Sequence, residues 1–344
     1  MIVTKGINLG VLVKWSAHHI VWLIAVMGIV AFLYKLGIIQ ISLPWFPVSV
    51  VGTAVAFYVG FKNNQSYDRM WEARKVWGGI VNDSRTWGMV VDGFISNLYT
   101  DELVSNSEIQ LIKQRLIYRH IAWLYAHRSQ LLLPTTWEHV SQRGAMARHA
   151  KNSQRKYGIG LYGDEITQTE LRHYLTDDEH DRLINQANTA AQIINEQSRD
   201  LSKLRERGLI DDFRHLEMTR ILRSFYELQG KNERIKKFPF PRQYANMSRY
   251  FIGIFILLLP LSIMPEFMKL GDWGLEVAVF ISALIAWIYV MMEIIGDYSE
   301  NPFQGMANDI PMMSLCRSIE IDLRQMLNES DLPPEIKPKG GILM

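Results

Sequence analysis

Charge is spread unevenly along the chain, and the uncharged intervals predict its most distinctive elements. From Trp15 to Phe61, 47 residues carry one charge, Lys35, whereas Lys62 to Arg249 carries 52 charges in 188 residues. Trp15 to Tyr34 is uncharged for 20 residues, the length a helix needs to cross a hydrocarbon core of roughly 30 Å. Leu36 to Phe61 is a second uncharged run, broken by Pro44 and Pro47, which predicts an irregular approach and a helix from about Val48. Tyr250 to Pro265 and Val277 to Met292 are uncharged for 16 residues each, slightly short for a span. A buried soluble hairpin is the alternative there, and the two clear spans upstream favour the membrane.

Between these intervals the pattern is helical. Met70, Trp77, Ile80, Val81, Trp87, Val91, Phe94, Ile95 and Leu98 recur near a helical period directly below the second span. Thr176 and Glu179 form a capping-box pattern before Leu183, Ile184, Ala187, Ala191, Ile194, Leu201 and Leu204, with Gly208 as the stop. A further helix is predicted from Asp212 to Leu228, ended by Gly230. Another follows Pro311, with Met312, Leu315, Cys316, Ile319, Leu323 and Met326 on one stripe. Ser141 to Gly163 reads as a long polar loop, and the tail with Pro333, Pro334, Pro338 and Gly340-Gly341 as frayed. The resulting organisation is an N-terminal segment with spans one and two (residues 1–61), a helical cytoplasmic region (62–247), spans three and four (248–296) and a C-terminal cytoplasmic segment (297–344).

Composition and charge add limits. A net charge of +2 over 344 residues argues against a nucleic-acid partner, and one cysteine, Cys316, excludes an intrachain disulfide scaffold. No cleavable signal pattern precedes the first span. Lys5, Lys14, Lys62, Arg69, Arg74, Lys236, Lys237, Arg242 and Arg249 fall on one side of the spans, against Lys35 and Lys269 on the other. With four spans, that asymmetry predicts both termini in the cytoplasm, and the expected location is the cell inner membrane.

Signatures of catalysis are missing: no Walker loop, HEXXH, CXXC or GXSXG occurs, and neither metal nor cofactor is expected. His18 and His19 read as interfacial, and His120 and His127, seven apart on one helix, as packed or solvated rather than metal-binding. The informative positions are on span two. Thr53, Phe57 and Phe61 lie at i, i+4 and i+8, and the same face continues to Gln65 and Arg69. Repeated around an axis, such a stripe makes a dry collar that gates by dewetting. Helix packing within one chain explains the same stripe, and spacing alone favours packing over a pore. Gly52, Ala54, Ala56 and Gly60 permit close helix approach in either case. Phe238-Pro239-Phe240-Pro241 forms a rigid turn before span three.

Gly60-Phe61-Lys62-Asn63-Asn64, Tyr67, Arg69, Glu72-Ala73-Arg74-Lys75 and Trp77-Gly78 resemble the motif after the second span of bacterial bestrophin-type channel proteins. Glu233-Arg234-Ile235 with Pro239-Phe240-Pro241 and Tyr244, Asn301-Pro302-Phe303, and Asn308-Asp309-Ile310-Pro311 with Leu315-Cys316-Arg317-Ile319-Glu320 agree in order and spacing. The resemblance implies an all-α integral membrane protein, with four spans per subunit and a helical cytoplasmic body, assembled as a pentamer around a central pore. It also implies an apolar neck matching Thr53, Phe57 and Phe61, and a cytoplasmic constriction with Phe238 as the nearest match. Thr53 stands where relatives usually carry an aliphatic residue. Gln304 to Asp309 supplies one carboxylate where animal members have an acidic calcium-binding run, so calcium gating is not expected. Asp297 and Glu300 read as solvated residues closing span four, and Asp309 as a helix cap.

The expected function is passive conduction of small monovalent ions, with anions such as chloride first. A monovalent cation channel of the same fold and a non-conducting scaffold are the alternatives. Lys62 and Arg69 would attract anions if they face the lumen, an inference that vanishes if they pair with Asp68 and Glu72. An enzyme would need an ionisable cluster in the spans, and a transporter inverted repeats with a midplane site. Neither pattern is present.

Overall fold

The computed structural model describes residues 1–6, 9–157 and 171–344. The helices are α1 (Leu9–Lys35), α2 (Trp45–Phe94), α3 (Asn106–Leu132), α4 (Ala145–Tyr157), α5 (Asp177–Ile184), α6 (Thr189–Glu206), α7 (Asp212–Lys237), α8 (Arg242–Met268), α9 (Gly274–Ser299) and α10 (Met312–Met326). Among the described residues there is no strand longer than an isolated bridge. The chain divides into two compact units. One comprises Thr4–Arg69 and Pro239–Asn301, the other Met1–Val3, Met70–Phe238 and Pro302–Met344.

Among the described residues, four helical segments are long and apolar enough to cross a membrane, and the first unit holds them: α1 from Ser16, the N-terminal part of α2, α8 and α9. Leu23 and Met27 of α1, Val55 and Val59 of α2, Phe255 and Leu259 of α8, and Ala283 and Ala286 of α9 form its core. The alanines let α9 approach its neighbours closely. Helix α2 begins at Trp45, not Val48, because Pro47 sits in the first turn, where its missing N–H has no intrahelical partner to lose. Pro265 lies inside α8 and leaves the Leu261 carbonyl without its helical donor; the Leu43 amide takes that place at 3.0 Å.

The second unit is a helical body cored by Trp77, Trp87, Trp123, Phe225, Ile319 and Leu323. Its capping box is as the spacing predicts, with Thr176 accepting from the Glu179 amide. The helix does not run on to Gly208, however. It stops at Ile184 and restarts at Thr189, because Asn188 accepts from the Ala191 amide and donates to Glu233. Gly208, at φ +72°, closes α6 with its own amide on Arg205 and that of Leu209 on Leu204. Gly230 does not end α7. The buried stripe of Leu222, Phe225, Leu228, Asn232 and Ile235 runs past it, and packing outweighs a propensity cost of about 1 kcal/mol. Residues 145–157 of the expected polar loop are the helix α4, and 158–163 lie outside the described residues. The tail is not frayed: Ile342 bridges Ile2 and Lys339, and Ser314 donates to the Met344 carbonyl.

Four rings from α2 and α3 form a buried column. Trp77 stacks on His127 (centroids 6.0 Å apart), His127 on Trp123 (5.7 Å) and Trp123 on His120 (5.2 Å). His120 pairs with Ser84 Oγ at 2.9 Å and His127 with Asn232 at 3.1 Å, so both histidines are packing residues. Burial lowers their pKa values to about 3 and about 4, against 6.5 for a free imidazole. Between those values the unfolded chain binds more protons than the folded one. Stability is therefore complete above about pH 6.5 and falls toward pH 4, by up to about 1.4 kcal/mol per pH unit per site. Denaturation of the purified protein between pH 7 and 4.5 should show that slope, and His120→Gln should flatten it.

Candidate functional site

Helix α2 in the apolar unit has two faces of opposite fate. Val48, Gly52, Val55, Val59, Lys62 and Ser66, spaced by three or four residues, are buried within the unit. Val50, Thr53, Phe57 and Phe61 occupy the opposite side and are exposed, the two phenylalanines at 65% and 64%. Their rings lie 6.4 Å apart at 26°, and Thr53 Oγ1 donates back to the Ser49 carbonyl at 2.9 Å. The three neck candidates thus share one uncovered face and take no part in their own chain's core. Gly52 is needed on the back of this face: a Cβ there would meet the Phe255 ring at 2.8 Å, and its carbonyl accepts from Tyr289 Oη at 3.0 Å.

Below the apolar stretch, the buried stripe turns ionic. The Lys62 ammonium donates to Glu293 at 2.5 Å, to the Ala245 carbonyl at 3.1 Å and to Ser248 at 3.2 Å. Glu293, Asp297 and Glu300 lie at i, i+4 and i+7 on and just beyond α9, facing the cations of α2 and α8. Arg249 pairs with Asp297 at 2.6 Å and Arg242 with Glu300 at 2.8 Å. Asp297 and Glu300 are therefore buried ion-pair partners, not solvated residues, since two arginines about two helical turns apart on α8 meet them. Matched spacings of three carboxylates and two arginines were the signal available in the sequence. Lys62 is fully buried within the apolar unit, and Glu72 pairs with Arg234 at 2.6 Å in the other unit.

Phe238 belongs to that other unit. It is the residue after α7, 68% exposed, with its amide on the Arg234 carbonyl at 3.0 Å. Asp309 does not cap α10, whose first residues have no side-chain cap. Its buried carboxylate instead accepts from the amides of Phe303 (2.9 Å), Gly305 (2.8 Å) and Ile310 (2.8 Å), wrapping the loop around itself. Burial raises its pKa while those amides oppose the rise. Both oxygens face donors, an arrangement suited to closing a loop and not to holding a cation. Nearby, Lys236 and Glu138 form a buried ion pair.

A four-helix apolar unit with buried charge at one end, and a second unit that is a helical body, define an all-helical membrane protein. Residues 5–325 match the family model described as bacterial/fungal bestrophin protein, and the chain belongs to that family. It is 24% identical over 340 residues to the voltage-dependent anion channel-forming protein YneE of Escherichia coli K12, covering 94% of this chain and 95% of the relative. It is 26% identical over 303 residues to the voltage-dependent anion channel-forming protein mll4386 of Mesorhizobium japonicum, covering 88% and 80%. The fold is that of the crystal structure of a bacterial bestrophin homologue from Klebsiella pneumoniae. That match has a TM-score of 0.70 at 20% identity and covers 91% of this chain and 98% of that one.

A Cβ on Gly296 would collide with the Asn63 side-chain oxygen, whose amide nitrogen donates to Met292 at 2.9 Å. Gly296→Ala should destabilise the protein by about 2 kcal/mol. Adding Asn63→Ala should recover part of that loss, as read by thermal unfolding in detergent.

Proposed function

We propose that this chain is the subunit of a homo-oligomeric, pentameric channel of the cell inner membrane, with both termini cytoplasmic, that passively conducts small monovalent anions such as chloride. In this reading Thr53, Phe57 and Phe61 of each subunit ring the axis as the neck, and Phe238 forms a second, cytoplasmic constriction. The observation that carries it is the uncovered α2 face. Two phenylalanines and a threonine, one helical turn apart, stay exposed while the opposite face of the same helix is buried. Lipid alone could cover a purely apolar stripe; this one carries Thr53 and continues on the same face to the exposed Gln65, as the lining of an aqueous path would. The anion channel-forming relatives in Escherichia coli and Mesorhizobium japonicum support the choice of cargo.

The neck carries no charge, so it acts through radius and dehydration. An ion passing two phenylalanine rings must shed part of its water, and large, weakly hydrated anions do so most readily. Lys62, sequestered by Glu293, adds no field of its own there.

In planar bilayers the purified protein should show unitary currents whose reversal potential in a potassium chloride gradient lies toward the chloride equilibrium value. A reversal toward potassium would sink the anion assignment. Phe57→Ala should widen the neck and raise single-channel conductance while the assembled size by gel filtration is kept. Unchanged conductance in a correctly assembled variant would remove Phe57 from the neck.

A further inference from the structure

Lys62 is the one charge on the buried stripe of α2 within the described apolar unit, and it follows Phe61 directly. One residue along an α-helix is a turn of about 100°, so a side chain held at Lys62 sets the direction of Phe61 beside it and of Phe57 one turn earlier. The aliphatic contacts of Val48, Val55 and Val59 are non-directional; the directional ones are the Gly52 carbonyl, which accepts from Tyr289 Oη, the Tyr58 hydroxyl, which donates to the Tyr244 carbonyl, and the Lys62 ammonium, the one that carries a charge. Rotating the helix costs most at that ammonium. Its partners lie on two other helices, Ala245 and Ser248 on α8 and Glu293 on α9, and the Ser248 hydroxyl also donates to the same Glu293 oxygen at 2.9 Å. Turning α2 would strand a charge in a dry bundle. Asn63, donating to the Met292 carbonyl beside the Gly296 gap, holds the next position in the same sense.

We propose that the Lys62–Glu293 pair is a rotational lock on α2, a positioning pair that decides which side chains of the helix form the neck and supplies no charge to the permeating ion. The proposal rests on the reading of Phe57 and Phe61 as neck residues. It makes the width of a passage depend on an ion pair that no ion touches.

The test uses the full-length protein in lipid bilayers and a charged, water-soluble methanethiosulfonate. Cys316, the only native cysteine, is fully buried with its thiol pushed up to about 12 by desolvation, so the background is silent. Phe57→Cys reports the exposed face and Val59→Cys the buried one, and labelling rates are read by mass spectrometry. The first should react much faster than the second. Adding Glu293→Gln should reduce the ratio of the two rates by about tenfold, and Lys62→Met with Glu293→Leu, which removes the stranded charge but leaves only non-directional contacts in its place, should leave the ratio reduced with anion-to-cation permeability unchanged. If Glu293→Gln prevents assembly, Ser248→Ala should lower the ratio about twofold. A ratio unmoved by either variant overturns the lock. So does a paired apolar variant that keeps the full ratio, since non-directional contacts would then hold the helix, or one that loses anion preference, since Lys62 would then act through its charge. Current is recorded separately: labelling at Phe57→Cys that leaves conductance unchanged overturns the neck reading, whereas the rate ratio still reports the lock itself.

Discussion

A lysine buried in an apolar helix bundle must keep an opposite charge within hydrogen-bonding distance, because an uncompensated ammonium there costs several kcal/mol. The apolar unit is arranged around that requirement. Lys62 on α2 reaches Glu293 on α9 and Ser248 on α8, and the carboxylates that follow on α9 repeat the pattern with Arg249 and Arg242. Three helices are thereby registered along their lengths and about their axes. The uncovered face of α2 is the geometric remainder: once Val48, Val55, Val59 and Lys62 point inward, Thr53, Phe57 and Phe61 point out.

The helical body applies the same logic with hydrogen bonds. Its core is not purely aliphatic. Histidines sit neutral between tryptophans, and Glu320 is fully buried while accepting from Tyr125 at 2.6 Å, from Tyr174, and from Arg317 at 3.2 Å. Arg119 and Arg115 pair with Glu179; burial alone would raise that carboxyl, but the two guanidinium groups hold it at about 2. Networks of this kind leave few alternative packings, because each shifted helix would strand a donor or an acceptor. Asp309 does this on the scale of one loop, fixing three amides that have no helix or strand to join.

Much of the fold was legible from residue order, because the signals involved are local. Uncharged intervals of span length mark membrane helices, Thr176 with Glu179 marks a helix start, and Gly208 marks a helix stop whatever surrounds it. The misread positions are those where neighbours distant in sequence decide. Gly230 has the local character of a terminator but lies on a helix held by the buried residues around it. Asp297 and Glu300 have the local character of a solvated helix end but face arginines some fifty residues earlier. Asp309 precedes a proline and a helix, as a cap would, yet its donors come from its own loop.

Residue order by itself determined the four apolar spans, from the uncharged intervals, and, from helical periodicity, the all-helical class and the placing of Thr53, Phe57 and Phe61 on one face, since a helical repeat fixes which residues are neighbours along a helix. It could not say whether that face packs inside the chain or stays open, nor whether Lys62 meets water or a carboxylate. Those outcomes were decided by the tertiary structure alone. A helix's rotation about its axis is set by what the other helices offer it, here Ser248 and Glu293, which lie about two hundred residues away along the chain.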